Sequence, residues 1–117
     1  MKLIALLTTL ALAATPLYAD GFKRITTKAE YIDQVAGKQY CNDSGCWTAK
    51  KNGKMTGKFG DLKFSATWKW HKGFGCQAGK LGKRKLETDC RVIEVSGNKL
   101  RVTREQGRGK KVVYATK

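Results

Sequence analysis

The sequence predicts a mainly β fold with a minor α component. The expected architecture is a small antiparallel meander forming a barrel or sandwich, with one short N-terminal helix and two disulfides. Three observations support it: hydrophobic residues alternate with polar ones, turn signals separate strand-like segments, and four cysteines occur among 117 residues. Each of these features is typical of a small, disulfide-bonded β domain.

The alternation is clearest in residues 62–70, where apolar residues occupy every second position from Leu62 to Trp70. This period of two predicts a half-buried antiparallel strand. Trp68 and Trp70 lie on its apolar face, and we expect them in the core; the alternative is a stacking platform at a barrel mouth. Further strand-like segments lie at 91–95, 99–103 and 111–114. Turn signals separate the strand-like segments at 52–53, 60–61, 73–75, 96–98 and 107–109.

One helix is predicted, over residues 28–36, after a short first strand at 22–26. Thr27 and Glu30 match a capping box, in which each side chain bonds the other residue's backbone N–H. Apolar residues follow at helical spacing, and Gly37 stands where a left-handed residue ends many helices.

The N-terminus has the features of a cleavable secretory signal. One positive charge precedes an apolar run that extends to about Ala14, and Ala19 is a small residue suited to cleavage. A transmembrane helix needs about 20 apolar residues, so an uncleaved anchor is the weaker alternative. We therefore expect a signal peptide at 1–19, with cleavage after Ala14 less favoured. The mature chain is then one basic domain at 20–117 without an integral membrane span, periplasmic or secreted.

Four cysteines in a small exported domain indicate two disulfides. We predict Cys41–Cys46 and Cys76–Cys90, because each pair brackets a turn-rich segment between two possible strands. A four-cysteine zinc site is the alternative, but neither pair has the close spacing of a zinc ribbon. No metal and no cofactor are expected. Trp47 follows Cys46 and is expected to pack on that disulfide.

Charge restricts the possible partners. The chain has 24 Lys and Arg residues against 9 Asp and Glu residues, and removing Lys2 with the signal lowers the net charge from +15 to +14. Anionic partners would relieve the resulting self-repulsion. The expected anion-binding residues lie in glycine-rich turns: Lys80, Lys83, Arg84, Lys85, Arg108, Lys110 and Lys111.

The expected function is therefore non-enzymatic binding of an anionic polymer or an anionic membrane surface. Nucleic acid, anionic lipid or lipopolysaccharide, and acidic polysaccharide would all fit this chemistry. The first alternative is a protein-interaction module, for example an inhibitor of an acidic enzyme. The second is a small hydrolase centred on His71, the one histidine, but the sequence contains no nucleophile motif around it. Oligomeric state is left open.

Several motifs resemble a family of small exported alphaproteobacterial proteins of unknown function. They are a Trp-x-Trp strand at 68–70, a Gly-aromatic-x-Cys turn at 73–76 and an Asp-Cys pair at 89–90. The resemblance covers most of the mature chain and also implies a disulfide between Cys76 and Cys90. Members are sometimes labelled dihydrodipicolinate reductases, but this chain has no dinucleotide-binding glycine motif. The resemblance therefore implies a fold and a location, not an activity.

Overall fold

A computed structural model describes residues 20–117, and the predicted signal peptide lies outside the described residues. The strands are β1 (Lys23–Arg24), β2 (Gln39–Asn42), β3 (Gly45–Ala49), β4 (Lys54–Phe59), β5 (Leu62–His71), β6 (Phe74–Leu81), β7 (Arg84–Ser96), β8 (Lys99–Thr103) and β9 (Lys111–Ala115). The helix α1 spans Lys28–Gln34, and a single helical turn at Glu105–Gly107 precedes β9. Within the described part of the chain, no helix has the length and apolar character needed to cross a membrane.

Strands β2 to β9 form a closed antiparallel barrel. Each strand pairs with the next along the chain, and a β9–β2 pairing of Ala115 with Cys41 closes the ring. The short β1 pairs with the end of β7. The predicted meander is thus confirmed as a barrel rather than a sandwich. Alternate residues on each strand point into its interior.

Helix α1 covers one end of the barrel. Thr27 and Glu30 form the predicted capping box, in which the Glu30 backbone N–H lies 3.1 Å from the Thr27 hydroxyl. Tyr31 is buried against Trp68 and Trp70, with ring centroids 4.7 and 5.3 Å away. The helix ends at Gln34, two residues earlier than predicted, because the Ala36 N–H already reaches back to the Tyr31 carbonyl.

The tryptophans lie inside the barrel. Trp68 is buried, and its indole N–H donates to the Lys50 carbonyl at 2.7 Å, so the core interpretation is confirmed for Trp68. Trp70 packs against the core but is only partly buried. Trp47 does not pack on the neighbouring disulfide as expected. It points into the barrel, stacks on Tyr40 at 5.2 Å and meets Tyr114 edge-on. The reason is the strand period: consecutive residues face opposite sides, so Trp47 and Cys46 cannot share one.

Both predicted disulfides, Cys41–Cys46 and Cys76–Cys90, are present. Each joins directly opposite residues of one hairpin, β2–β3 in the first case and β6–β7 in the second. Neighbouring positions in these strands point inward, so both disulfides lie on the outer side of the barrel wall. Cys76 is nevertheless buried there, and the other three cysteines are partly buried.

Hairpin turns of a meander barrel alternate between its two ends. The β3–β4 and β5–β6 turns lie at the end that α1 covers, which we call the closed end; there the Gly37 N–H donates to the Ala49 carbonyl. The other end, which we call the mouth, carries the turns at 43–44, 60–61 and 82–83 and the long connection at 104–110.

Candidate anion-binding sites

The barrel brings the seven predicted anion-binding residues to the mouth, where they form two clusters. The β6–β7 hairpin carries the first cluster, and the connection between β8 and β9 carries the second. Arg84 of the first segment and Arg104, which begins the second, line the same cavity, so the two segments lie near each other at the rim. The members are all exposed and comprise Lys80, Lys83, Arg84, Lys85, Arg108, Lys110 and Lys111.

The first cluster nevertheless divides between two surfaces. Lys80 and Lys85 lie directly opposite each other on neighbouring strands and face outward. Lys83 lies in the turn between these strands. Arg84 pairs with Leu81, and both residues line a cavity inside the mouth. The hairpin therefore contributes to an outer face and to an inner site, and the sequence alone did not separate the two.

Lysines dominate the outer surface of strands β4 to β7. Lys58 lies directly opposite Lys63 on β4 and β5, which repeats the like-charge pairing of Lys80 with Lys85. Like charges placed directly opposite each other destabilise a sheet. Glu87 is the one exposed carboxylate within these four strands. We call this surface the lysine face, defined by Lys54, Lys58, Lys63, Lys69, Lys80 and Lys85.

The charge of Arg101 on the outer surface of β8 is neutralised within the fold. Arg101 donates through Nε to Glu94 at 2.8 Å and also bonds the carboxylate of Asp20. Its guanidinium stacks over the Phe22 ring at 4.3 Å. Hydrogen bonds from Arg101 lower the pKa of Asp20, and those to Glu94 and Asp20 raise the pKa of Arg101. The lysine face has only the exposed Lys85–Glu87 pair, at 3.9 Å.

The second site is a cavity of about 190 Å³ that opens at the mouth. We call it the mouth pocket. Its apolar and aromatic walls come from Trp47, Met55, Phe59, Phe64, Leu81, Leu86, Val112 and Tyr114. Its polar lining consists of Gln77, Arg84, Arg91 and Arg104. An apolar pocket with a few convergent polar groups is the usual form of a small-ligand site.

One carboxylate serves two of the three pocket arginines. Asp89 Oδ2 accepts from Arg91 Nε at 3.2 Å and from Arg104 Nε at 3.3 Å, while Oδ1 accepts the Glu105 backbone N–H at 2.9 Å. Among residues 20–117, the terminal N–H groups of Arg91 donate to no protein group. The pocket therefore holds an excess of positive charge and of hydrogen-bond donors.

Burial makes this excess unfavourable in the protein alone. The Arg91 side chain is 16% exposed. Burial lowers the pKa of the Arg91 guanidinium, the Asp89 charge opposes that shift, and the Arg104 charge adds to it. Burial likewise raises the pKa of Tyr114, against the influence of Arg91 and Arg104. A buried guanidinium that shares its counterion is stabilised by any further anion that reaches it.

The rim beside Asp89 has an unusual backbone. Glu105 and Gln106 have φ angles of 54° and 56°, in the left-handed region that residues with a side chain rarely adopt. Such conformations persist where the surroundings hold them, and they concentrate at functional sites. Here the Asp89 carboxylate holds the Glu105 N–H. The rim conformation and the pair of arginines thus depend on the same side chain.

His71 ends β5 at the closed end of the barrel, where it is exposed and lies opposite Phe74. In the part of the chain that the structure describes, no group of three or more His, Cys, Asp and Glu side chains could hold a metal ion. The non-enzymatic interpretation stays a prediction.

Sequence reasoning missed the mouth pocket, although one signal was present. In the predicted strand at 91–95, Arg91 has the same parity as Ile93 and Val95, which places an arginine on the apolar face. Arg104 and Gln77 gave no comparable signal, because their directions depend on where β8 ends and on a bulge between Gln77 and Gly79.

The fold and these sites define a small eight-stranded meander barrel, closed by a helix at one end and lined with arginines at the other. Comparison with protein-family models, curated proteins and solved structures finds no match to this chain. The resemblance to a family of small exported proteins stays a prediction.

Proposed function

We propose that this protein is an exported, non-enzymatic barrel that binds polyanions on its lysine face. One observation carries the proposal: six exposed lysines share the outer surface of β4 to β7 with one exposed carboxylate. The like-charge pairs Lys58–Lys63 and Lys80–Lys85 carry a cost in the free protein. A polymer with closely spaced anions would remove that cost.

Binding of this kind takes its affinity from counterion release and is indifferent to base sequence. Nucleic acid, acidic polysaccharide and an anionic lipid or lipopolysaccharide surface share the required chemistry. Lys83 and the rim residues Arg108, Lys110 and Lys111 extend the basic surface around the mouth. Two disulfides are consistent with export to an oxidising compartment such as the periplasm.

The test is a salt titration of binding to duplex DNA, heparin and vesicles containing anionic lipid. If six lysines neutralise phosphates, log Kd should change with log salt with a slope of magnitude about 5 on duplex DNA. The triple variant K63Q/K80Q/K85Q should reduce the magnitude of that slope by about 2.7, because each lost phosphate contact removes about 0.9.

The matched control is K28Q/K38Q/K99Q, which removes the same charge from exposed sites outside the lysine face. It should change the slope by less than 1. Equal effects of the two triple variants would contradict a localised face. Absence of binding to all three polyanions at low salt would show that the lysines only solubilise the barrel. Binding confined to one acidic protein surface would favour the inhibitor alternative.

A further inference from the structure

The mouth pocket supports an inference independent of the lysine face. We infer that it binds a small organic carboxylate with an apolar body, held by the terminal N–H groups of Arg91. The polyanion proposal concerns an outer surface and long polymers, whereas this site is internal and takes one small molecule.

The volume sets the size of the ligand. A cavity of about 150 Å³ with apolar walls holds benzene, and the mouth pocket measures about 190 Å³. It is smaller than most drug-sized ligand sites, which begin near roughly 300 Å³. The pocket therefore accommodates one ring or a short acyl chain, with the carboxylate directed to the arginines.

The walls select an apolar body. Trp47, Phe64 and Met55 are buried and form part of the lining, and Tyr114 meets Trp47 edge-on with ring centroids 5.5 Å apart. These surfaces gain from contact with hydrocarbon and offer little to a bare inorganic anion. Phosphate or acetate alone would leave the walls unused.

The arginines select a carboxylate. Arg91 commits its Nε to Asp89, which orients the guanidinium and leaves the Nη1 and Nη2 edge for another acceptor. That edge presents two parallel N–H donors, the arrangement that matches a carboxylate in a bidentate contact. Arg84 and Arg104 lie at the rim and add positive charge along the entrance. Asp89 cannot neutralise all three arginines, so charge complementarity favours an anion.

The probes are 3-phenylpropanoate for a ring body and octanoate for a chain body. Their controls are 3-phenylpropanamide, which lacks the charge, and acetate, which lacks the body. Calorimetry with the wild-type protein should show 3-phenylpropanoate and octanoate each binding at least tenfold tighter than both controls, as expected for charge-assisted hydrogen bonds combined with apolar burial. The acid that binds tighter shows whether the pocket prefers an aromatic ring or an acyl chain as the apolar part of the ligand.

Nuclear magnetic resonance gives the location. The indole N–H of Trp47 should shift on addition of the acid, because Trp47 lines the pocket. The indole N–H groups of Trp68 and Trp70 donate to Lys50 and Thr26 carbonyls at the closed end and should not shift. Shifts confined to the latter two would place the ligand elsewhere and overturn the assignment.

Substitutions test the role of Arg91. R91M should weaken acid binding tenfold to a hundredfold, and R91K should lose part of the affinity because it keeps the charge but not the paired donors. If R91M does not fold, R84Q/R104Q serves instead, since both side chains are exposed; it should weaken acid binding and leave amide binding unchanged. K63Q/K80Q/K85Q should leave acid binding unchanged, which separates this site from the polyanion surface. Absence of acid binding at millimolar concentration, or equal affinity for acid and amide, overturns the inference.

Discussion

The two ends of the barrel are stabilised in different ways. The closed end is filled by packed side chains, with Tyr31 of α1 against Trp68 and Trp70. The mouth has a cavity and three arginines instead, and both disulfides span hairpins whose turns lie there, at 43–44 and 82–83. Covalent cross-links thus join both hairpins that point toward the mouth. Cys41–Cys46 lies beside its turn, whereas Cys76–Cys90 lies further down the barrel wall, where Cys76 pairs with Lys69 near the end of β5. A small domain can keep an internal binding site when cross-links stabilise the surrounding hairpins.

The largest expected difference concerns packing. Trp68→Ala should lower the free energy of unfolding by about 3–5 kcal/mol, because it opens a cavity in the closed end and removes the hydrogen bond to the Lys50 carbonyl. Phe59→Ala at the mouth should cost about 1–2 kcal/mol, because Phe59 is only partly buried beside an existing cavity. Urea unfolding measures both values. Equal costs would contradict the contrast between a packed end and a loosely filled one.

The second difference concerns the disulfides. Serine in place of Cys76 and Cys90, 14 residues apart, should cost about 3 kcal/mol on the chain-entropy relation. The same change at Cys41 and Cys46, only 5 residues apart, should cost about 2 kcal/mol. Urea unfolding of both double variants under non-reducing conditions, with the oxidised wild-type protein as the reference, checks the order. A larger loss of stability in the Cys41/Cys46 variant, which opens the shorter loop, would show that local packing outweighs the entropy of loop closure.

The smallest expected effect is a pH dependence at the helix that covers the closed end. Hydrogen bonds from the Thr26 backbone and side chain, and then from Thr27, lower the pKa of Glu30 below its ordinary value of 4.5. A lowered carboxyl pKa contributes stability above 4.5, and that contribution is lost as pH falls from 4.5 through the folded-state value. Glu30→Gln should therefore be less stable than wild type at neutral pH, and the difference should shrink below pH 4.5.

Urea midpoints measured from pH 7 to pH 3 test this prediction. Asp20, whose pKa is also lowered, titrates in a similar range, so Asp20→Asn is the matched control. Its own difference from wild type should also shrink at low pH, because the Arg101 contact is lost on protonation. A constant difference between wild type and Glu30→Gln across the range would mean that the carboxylate charge of Glu30 contributes nothing.

Local patterns determined most of the elements. The alternation from Leu62 to Trp70 predicted β5 almost to its ends, and the capping box fixed the start of α1 at Lys28. The disulfide pairing could be predicted because two cysteines that flank one hairpin turn meet across neighbouring strands. The strands β2, β3, β4 and β6 carried weaker signals, since they are short or have polar residues and glycines that interrupt their apolar pattern. Gly57 and Gly79 occupy inward positions where a Cβ would collide with a neighbouring strand's backbone.

The sequence by itself determined a basic, disulfide-bonded β meander. Its placement of the charge in turns was wrong for four residues, since Lys80, Arg84, Lys85 and Lys111 lie on strands. Only the tertiary structure decided that the sheet closes, that Lys80 and Lys85 face outward while Arg84 lines a pocket, and that Arg91 and Arg104 share Asp89. The reason is physical: hydrophobic period and capping act between residues a few positions apart. Barrel closure, strand stagger and the position of a bulge are set by all eight strands together, and they decide which side chains meet inside.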